Sequence, residues 1–257
     1  MTGPSGPVPG DGPFKPLEGR SFRFACHPGI SCFTACCADL KLVLTPYDVL
    51  RLKNRLNLSS DRFLETYTTM ETGPGERFPM VLLKMTEKAG RPCPFVSPQG
   101  CTLYEDRPGA CRIYPLGRGS ARGGRETYFL VQEAHCLGFE EEKTWQVEDW
   151  LADQGLEAYH EFNDLWMEIL TNRASLGPAT HAVKKVQMFS MVSYNLDRFR
   201  QFVFGSRFLD MFDLDQGMLD QARADDPVLL RLGFQWLRFA LFGEQTLPLK
   251  PGLEKRA

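Results

Sequence analysis

The sequence predicts an α+β fold, mainly helical: a small cysteine-cluster metal domain with short strands, plus a helical C-terminal region. Three observations predict it. All eight cysteines lie between Cys26 and Cys136, and the last 121 residues contain none. Up to Cys136 the apolar runs are brief and broken by Gly and Pro, whereas beyond Glu140 they lengthen and recur at helical spacing. The 257 residues are 43% apolar and 24% charged, the usage of a folded globular protein with ample material for a core.

The elements follow in order. Residues 1–20 hold five Gly and five Pro, cannot bury apolar surface, and are expected to form a disordered arm. The cysteine domain then occupies residues 21–140, the helical region 141–245 and a tail 246–257. A helix start is written at Leu44-Thr45-Pro46-Tyr47-Asp48: Thr45 as N-cap, Pro46 at the first helical position, and Asp48 facing the free amides. Val49, Leu50, Leu52 and Leu56 give that helix its apolar face, and it ends near Asn57. Ser59 or Ser60 caps a second short helix with Phe63, Leu64 and Tyr67. Residues 78–85, 101–104, 111–114 and 127–132 read as brief strands or extended loops. Helical spacing returns at Tyr159, Phe162, Trp166, Ile169 and Leu170, again at Met188, Val192, Leu196, Phe199 and Val203, and from Pro227 to Phe242. The aromatic residues of these helices fit core packing better than a cofactor pocket.

Thirty basic against 32 acidic residues leave a net charge of -2, so no overall field draws the chain to nucleic acid or anionic lipid. No apolar run approaches the ~20 residues that span a bilayer, and no secretory segment opens the chain. The expectation is a cytoplasmic protein with neither nucleic-acid nor membrane partners, and with another protein as a candidate partner for the helical region. Thiol pools keep cysteines reduced in that compartment, so clustered cysteines there point to metal rather than disulfides. The basic, Gly-rich stretch 118–125 lacks the order of a P-loop and reads as a solvated hairpin loop, and no Rossmann, H-E-x-x-H, G-x-S-x-G or C-x3-C-x2-C motif occurs.

The cysteines are spaced C-x5-C-x3-C-C at Cys26, Cys32, Cys36 and Cys37, then C-x7-C-x9-C at Cys93, Cys101 and Cys111, with Cys136 beyond another 24 residues. Four thiolates complete a tetrahedral zinc site or an iron-sulfur cluster, and eight complete two such sites. If the first segment is helical, Cys32 and Cys36 share a face while Cys36 and Cys37 diverge by about 100°. The vicinal pair then serves two adjacent sites, or one site through a tight loop. Shared metal predicts that the two cysteine groups, 55 residues apart, converge in space. His27 and His135 each adjoin a cysteine, but a lone His is more often structural, and neither joins the ligand set. Arg107 and Arg112 can offset thiolate charge from outside the first ring of ligands, or can form surface ion pairs. Pro94, Pro108 and Pro115 fix chain direction near three of the cysteines.

The run Cys32 to Cys37, Cys93-Pro94-Phe95, the stretch from Cys101-Thr102-Leu103-Tyr104-Glu105-Asp106-Arg107-Pro108 to Cys111-Arg112-Ile113-Tyr114-Pro115, and Cys136 resemble the YkgJ-type cysteine-cluster family, a zinc- or iron-chelating domain. The resemblance covers about residues 24–138, includes Thr45-Pro46-x-Asp48, and does not reach the helical half. It implies a small cytosolic metal-binding domain holding iron-sulfur, with relatives described as flagellin lysine N-methylases. The spacing ahead of the vicinal pair is stretched relative to the family's compact pattern, which makes Cys26 the least secure ligand carried over. The expected function is a metal-binding protein holding one or two iron-sulfur clusters through all eight cysteines, for electron transfer or cluster-assisted chemistry. A structural zinc module and a lysine N-methylase-like enzyme are the alternatives.

Overall fold

The computed structural model describes residues 12–120 and 126–252. The chain divides into two compact units, one formed by residues up to 42 and 85–160, the other by 43–84 and the residues from 161 onward. This differs from a division at residue 140: residues 43–84 pack with the later helices, and 141–160 with the cysteine segments. The fold is α+β and mainly helical, with ten α-helices and only small antiparallel sheets among the described residues. No helix among them is long and apolar enough to cross a membrane.

The first unit is built on three small sheets. Phe14–Pro16, Glu126–Val131 and Leu116–Ser120 pair in that spatial order, with Phe14 opposite Val131 and Leu116 opposite Leu130. Ser21–Arg23 pairs with Thr144–Gln146, and Val96–Ser97 with Gly100–Cys101. The strand at Phe14 falls within the arm expected to be disordered. It is held because the Phe14 ring meets Phe129 edge-on at 5.5 Å and Gln132 N–H donates to Pro13 O at 2.6 Å. Residues 1–11 lie outside the described residues, as do 121–125 of the basic loop.

Strand alternation turns Phe22 inward, where it joins Phe24, Leu116, Tyr128, Val147 and Trp150 in a core of aromatic edges. The indole N–H groups of Trp145 and Trp150 donate to Phe24 O and Ile113 O, each at 3.0 Å, so burying the rings leaves no orphan donor. The segment 111–114, read from sequence as extended, is instead part of a short helix, Gly109–Ile113. Pro108 starts it, with its carbonyl accepting from Arg112 N–H at 3.0 Å. One turn is too short for helical periodicity to register.

The second unit opens with Val43–Leu44, which pairs with Met80–Leu83, as Thr68–Glu71 does on its other side. The Pro46–Arg55 helix begins as its sequence dictates. Asp48 N–H donates to Thr45 Oγ1 at 3.3 Å, while Thr45 N–H donates to Asp48 Oδ2 at 2.8 Å. Ser59 caps Ser60–Tyr67. The later helices are Glu157–Leu170, which starts in the first unit, then Ala179–Tyr194, Leu196–Gly205, Phe208–Met211, Gln216–Ala224 and Asp226–Phe242. The periodicity from Met188 to Val203 spans two of these helices: Asn195 interrupts it, its side chain accepting from Arg198 N–H at 3.2 Å to start a new one. Residues 43–84 belong here because Tyr47 stacks on Phe162 at 4.5 Å, Phe78 stacks on Phe189 at 4.2 Å, and Lys53 pairs with Asp226.

Gly233 marks the tightest helix contact. A Cβ there would stand 2.6 Å from Val192 Cγ1 and 3.0 Å from Phe199 Cε1. Alanine improves helix propensity by about 1 kcal/mol, but overpacking a closed core costs about 1–3 kcal/mol. Gly233→Ala is therefore expected to lower the urea midpoint of unfolding. A raised midpoint would mean that the two helices separate without cost.

Candidate metal centre

The eight cysteines all belong to the first unit and none is in a disulfide. Cys26 follows the strand Ser21–Arg23, and the chain between them is pinned by hydrogen bonds from Phe24 N–H to Lys143 O at 2.8 Å and Ala25 N–H to Gly138 O at 3.0 Å. Gly138 permits this approach, since a Cβ there would lie 2.6 Å from the Phe24 ring and 2.7 Å from Ala25 O. Turns then carry the chain through Cys32 to a 3-10 helix, Ala35–Cys37, entered by Thr34 in the left-handed region at φ 66. For a β-branched residue that conformation stores roughly 1–2 kcal/mol, strain that the surrounding contacts must hold. The 3-10 turn sets the vicinal Sγ atoms of Cys36 and Cys37 4.0 Å apart.

The second cysteine group is joined to the first by main chain. Cys93 N–H donates to Cys37 O at 2.8 Å, and Asp39 N–H to Arg91 O at 3.0 Å. Cys101 sits in the hairpin opposite Val96, tightened by Thr102 N–H to Phe95 O at 2.8 Å. Cys111 occupies the middle of the Gly109–Ile113 helix. Cys136 precedes the 3-10 helix Leu137–Glu140, whose first N–H, that of Leu137, donates to Cys32 Sγ at 3.2 Å.

The thiols act on one another electrostatically. Burial, then Cys36, Cys136 and Cys32, push Cys26 up to about 11. Cys36 is lowered to about 7, first by a hydrogen bond from Cys37 and, against burial, by its own backbone N–H and Arg107. That same hydrogen bond, then burial, then Cys36, Cys111 and Cys93 hold Cys37 far above the thiol range. Cys93 is raised by burial and by Cys101, opposed by the N–H groups of Phe95 and Val96. Cys26 thus neighbours Cys32, Cys36 and Cys136, while Cys37 neighbours Cys93 and Cys111, and Cys93 neighbours Cys101, with Cys36 and Cys37 joining the two groups.

The residues around the thiols divide the same way. Arg112, expected from sequence to balance thiolate charge, spends its guanidinium on the carbonyls of Arg107, Gln154 and Glu105 and lies over the Tyr159 ring at 4.9 Å. It braces the backbone. Arg107 is the residue that acts on Cys36 and Cys26. His27 uses both ring nitrogens, accepting from Gly29 N–H at 3.1 Å and meeting Glu141 Oε2 at 3.3 Å, and His135 is exposed. Tyr114, to which sequence reasoning gave no role, lies beside Cys136; burial and then that thiol push its phenol well above the usual range. Its only signal in the sequence is its place between Cys111 and Pro115.

Four soft, anionic donors with an N–H already directed at one sulfur suit zinc or iron. Among the described residues, no three His, Cys, Asp or Glu side chains are grouped so as to enclose a single metal ion as they stand. The chemistry of the donors, eight clustered thiols, fits a zinc or iron centre.

Residues 25–137 match a family model, CxxCxxCC, described as "Putative zinc- or iron-chelating domain". This segment, under half of the chain, carries all eight cysteines and coincides with the stretch whose motifs resemble the cysteine-cluster family. The match supports zinc or iron binding by this segment. The chain matches no curated protein and no solved structure.

Proposed function

We propose that this is an iron-sulfur protein whose cysteine unit holds two clusters, one on Cys26, Cys32, Cys36 and Cys136, the other on Cys37, Cys93, Cys101 and Cys111. The reading is supported by which thiols act on one another, Cys32, Cys36 and Cys136 on Cys26, and Cys93 and Cys111 on Cys37, and by the main-chain bond that joins the two cysteine segments. A bound cluster would supply one-electron transfer. The chain's own part is to deprotonate Cys36 readily, to direct Leu137 N–H at Cys32, and to hold the two segments together through the bond from Cys93 to Cys37.

Cluster and zinc call for different sulfur spacings. Four sulfurs around one zinc ion, each about 2.3 Å from it, lie only about 3.8 Å from one another. A cluster interposes several iron atoms and accepts thiols set farther apart. Zinc is favoured by a single pair, Cys36 and Cys37, whose sulfurs are 4.0 Å apart. Anaerobic reconstitution with ferrous iron and sulfide decides between them. The expected result is a brown protein with a broad band near ~400 nm and iron and sulfide in equal amounts. A colourless protein that retains zinc through gel filtration in preference to iron would replace this reading with the zinc module.

A further inference from the structure

The second unit carries an open cleft of about 460 Å³, within the size range of small-molecule sites. One wall is a single face of the Leu196–Gly205 helix, where Asp197, Arg200, Gln201 and Phe204 follow one another at helical spacing; the other is Arg223, in the last turn of Gln216–Ala224. Most of the cleft's charges are balanced. Asp197 accepts from Ser60 N–H at 2.6 Å and faces Arg200 at 3.6 Å and Lys53 at 3.9 Å, and Arg200 also donates to Asp226. Arg223 differs. Its guanidinium lies over the Phe204 ring at 4.1 Å, and among the described residues it makes no hydrogen bond or ion pair. Among them the side chain of Gln201, exposed on the same helix face, makes none either.

We propose that this cleft binds a small organic anion, whose carboxylate or phosphate is held by the Arg223 guanidinium and the Gln201 amide. A guanidinium presents its N–H donors in its own plane, as a fork that matches two oxyanion oxygens. Contact with Phe204 supports one face of that plane and limits its orientation, so less freedom is lost when an anion arrives. Asp197 and Arg200 are balanced by their own partners, which leaves Arg223 as the cation of the cleft without a counter-charge among the described residues. Gln201 adds neutral N–H donors from the facing helix. A bare oxyanion would leave much of the cleft unfilled, so the ligand carries an organic body. This reading is independent of what the cysteine unit binds.

The test is arginine labelling of the full-length chain with phenylglyoxal, read residue by residue by mass spectrometry, with inorganic phosphate or succinate replacing chloride at constant ionic strength. Saturating anion is expected to slow labelling of Arg223 by about 10-fold. Arg173, exposed and without a partner among the described residues, should label at its original rate. Stronger protection by phosphate assigns the site to phosphate esters, and stronger protection by succinate assigns it to organic acids. Gln201→Ala alters an exposed side chain, so it should leave the unprotected labelling rate of Arg223 unchanged while raising the half-protecting concentration several-fold. The proposal is overturned if neither anion slows Arg223. It is equally overturned if Arg173 is protected alike, or if Gln201→Ala is protected as the unsubstituted chain is, since either result would mean a diffuse counter-ion effect.

Discussion

Removing the metal, or replacing Cys37 or Cys111 with serine, is expected to open residues 12–42 and 85–160 to proteases while 43–84 and the helices beyond 161 stay protected. The first unit has little else to hold it. Its main core cluster has six buried residues, with Phe95, Leu103, Leu156 and Tyr159 buried besides, and its strands are two to six residues long. A thiolate site that forms only in the folded state adds its binding free energy to folding, on the order of 10 kcal/mol for a closed four-ligand site. Serine keeps the size but is a poor soft ligand. The second unit has its own core, with Leu44, Leu52, Phe63, Phe162, Phe189, Phe199 and Phe234 all buried. Most helical circular dichroism should therefore survive chelation. Limited proteolysis with mass spectrometry of the fragments checks this, and early cleavage within 43–84 would show that the units do not stand apart in stability.

The second large effect lies in the helical unit. Asp226→Ala is expected to destabilise it by about 3–5 kcal/mol, the cost of breaking a buried ion pair from one side. Asp226 accepts from Lys53 Nζ at 2.9 Å, from Asn54 Nδ2 at 2.9 Å, and from Arg200. Lys53 is nearly inaccessible, and its only other carboxylate among the described residues is Asp197, 3.9 Å away. Burial alone would raise the Asp226 carboxyl, but the bonds from Arg200, Lys53 and Asn54 outweigh it and hold the group below the usual range. A carboxyl depressed in the folded state contributes its stability above the ordinary value of about 3.9 and loses it as pH falls through the folded value. Urea midpoints should therefore drop below about pH 4 in the unsubstituted chain and drop less in Asp226→Asn. Equal pH dependence in both would remove Asp226 from the account of acid unfolding.

Much of this was legible in the sequence where the physics is local. The cap at Thr45, Pro46 and Asp48 acts within four residues and fixes its helix start. The break at Asn195 was not legible, since Leu196, Phe199 and Val203 continue the periodicity across it. The allegiance of residues 43–84 depends on Phe189, Phe162 and Asp226, more than a hundred residues later in the cases of Phe189 and Asp226, and no spacing encodes that. At the metal centre the number and identity of the thiols could be read directly. How the two cysteine segments meet could not, because it depends on a main-chain bond between residues far apart in sequence, from Cys93 N–H to Cys37 O.

The discontinuity of the cysteine unit bears on how the protein is made. Cys26, Cys32, Cys36 and Cys37 leave the ribosome first, then a segment that belongs to the other unit, and only afterwards the four cysteines that complete each set. At about 5–20 residues per second, the vicinal thiols wait roughly 5–20 s for Cys136 to emerge. On the proposed division, the set with Cys37 is complete once Cys111 emerges, and the set with Cys36 waits for Cys136. The nascent chain therefore depends on its cell to keep those thiols reduced, and filling of the set that includes Cys136 belongs to a late stage of biogenesis, after residue 136 has been synthesised.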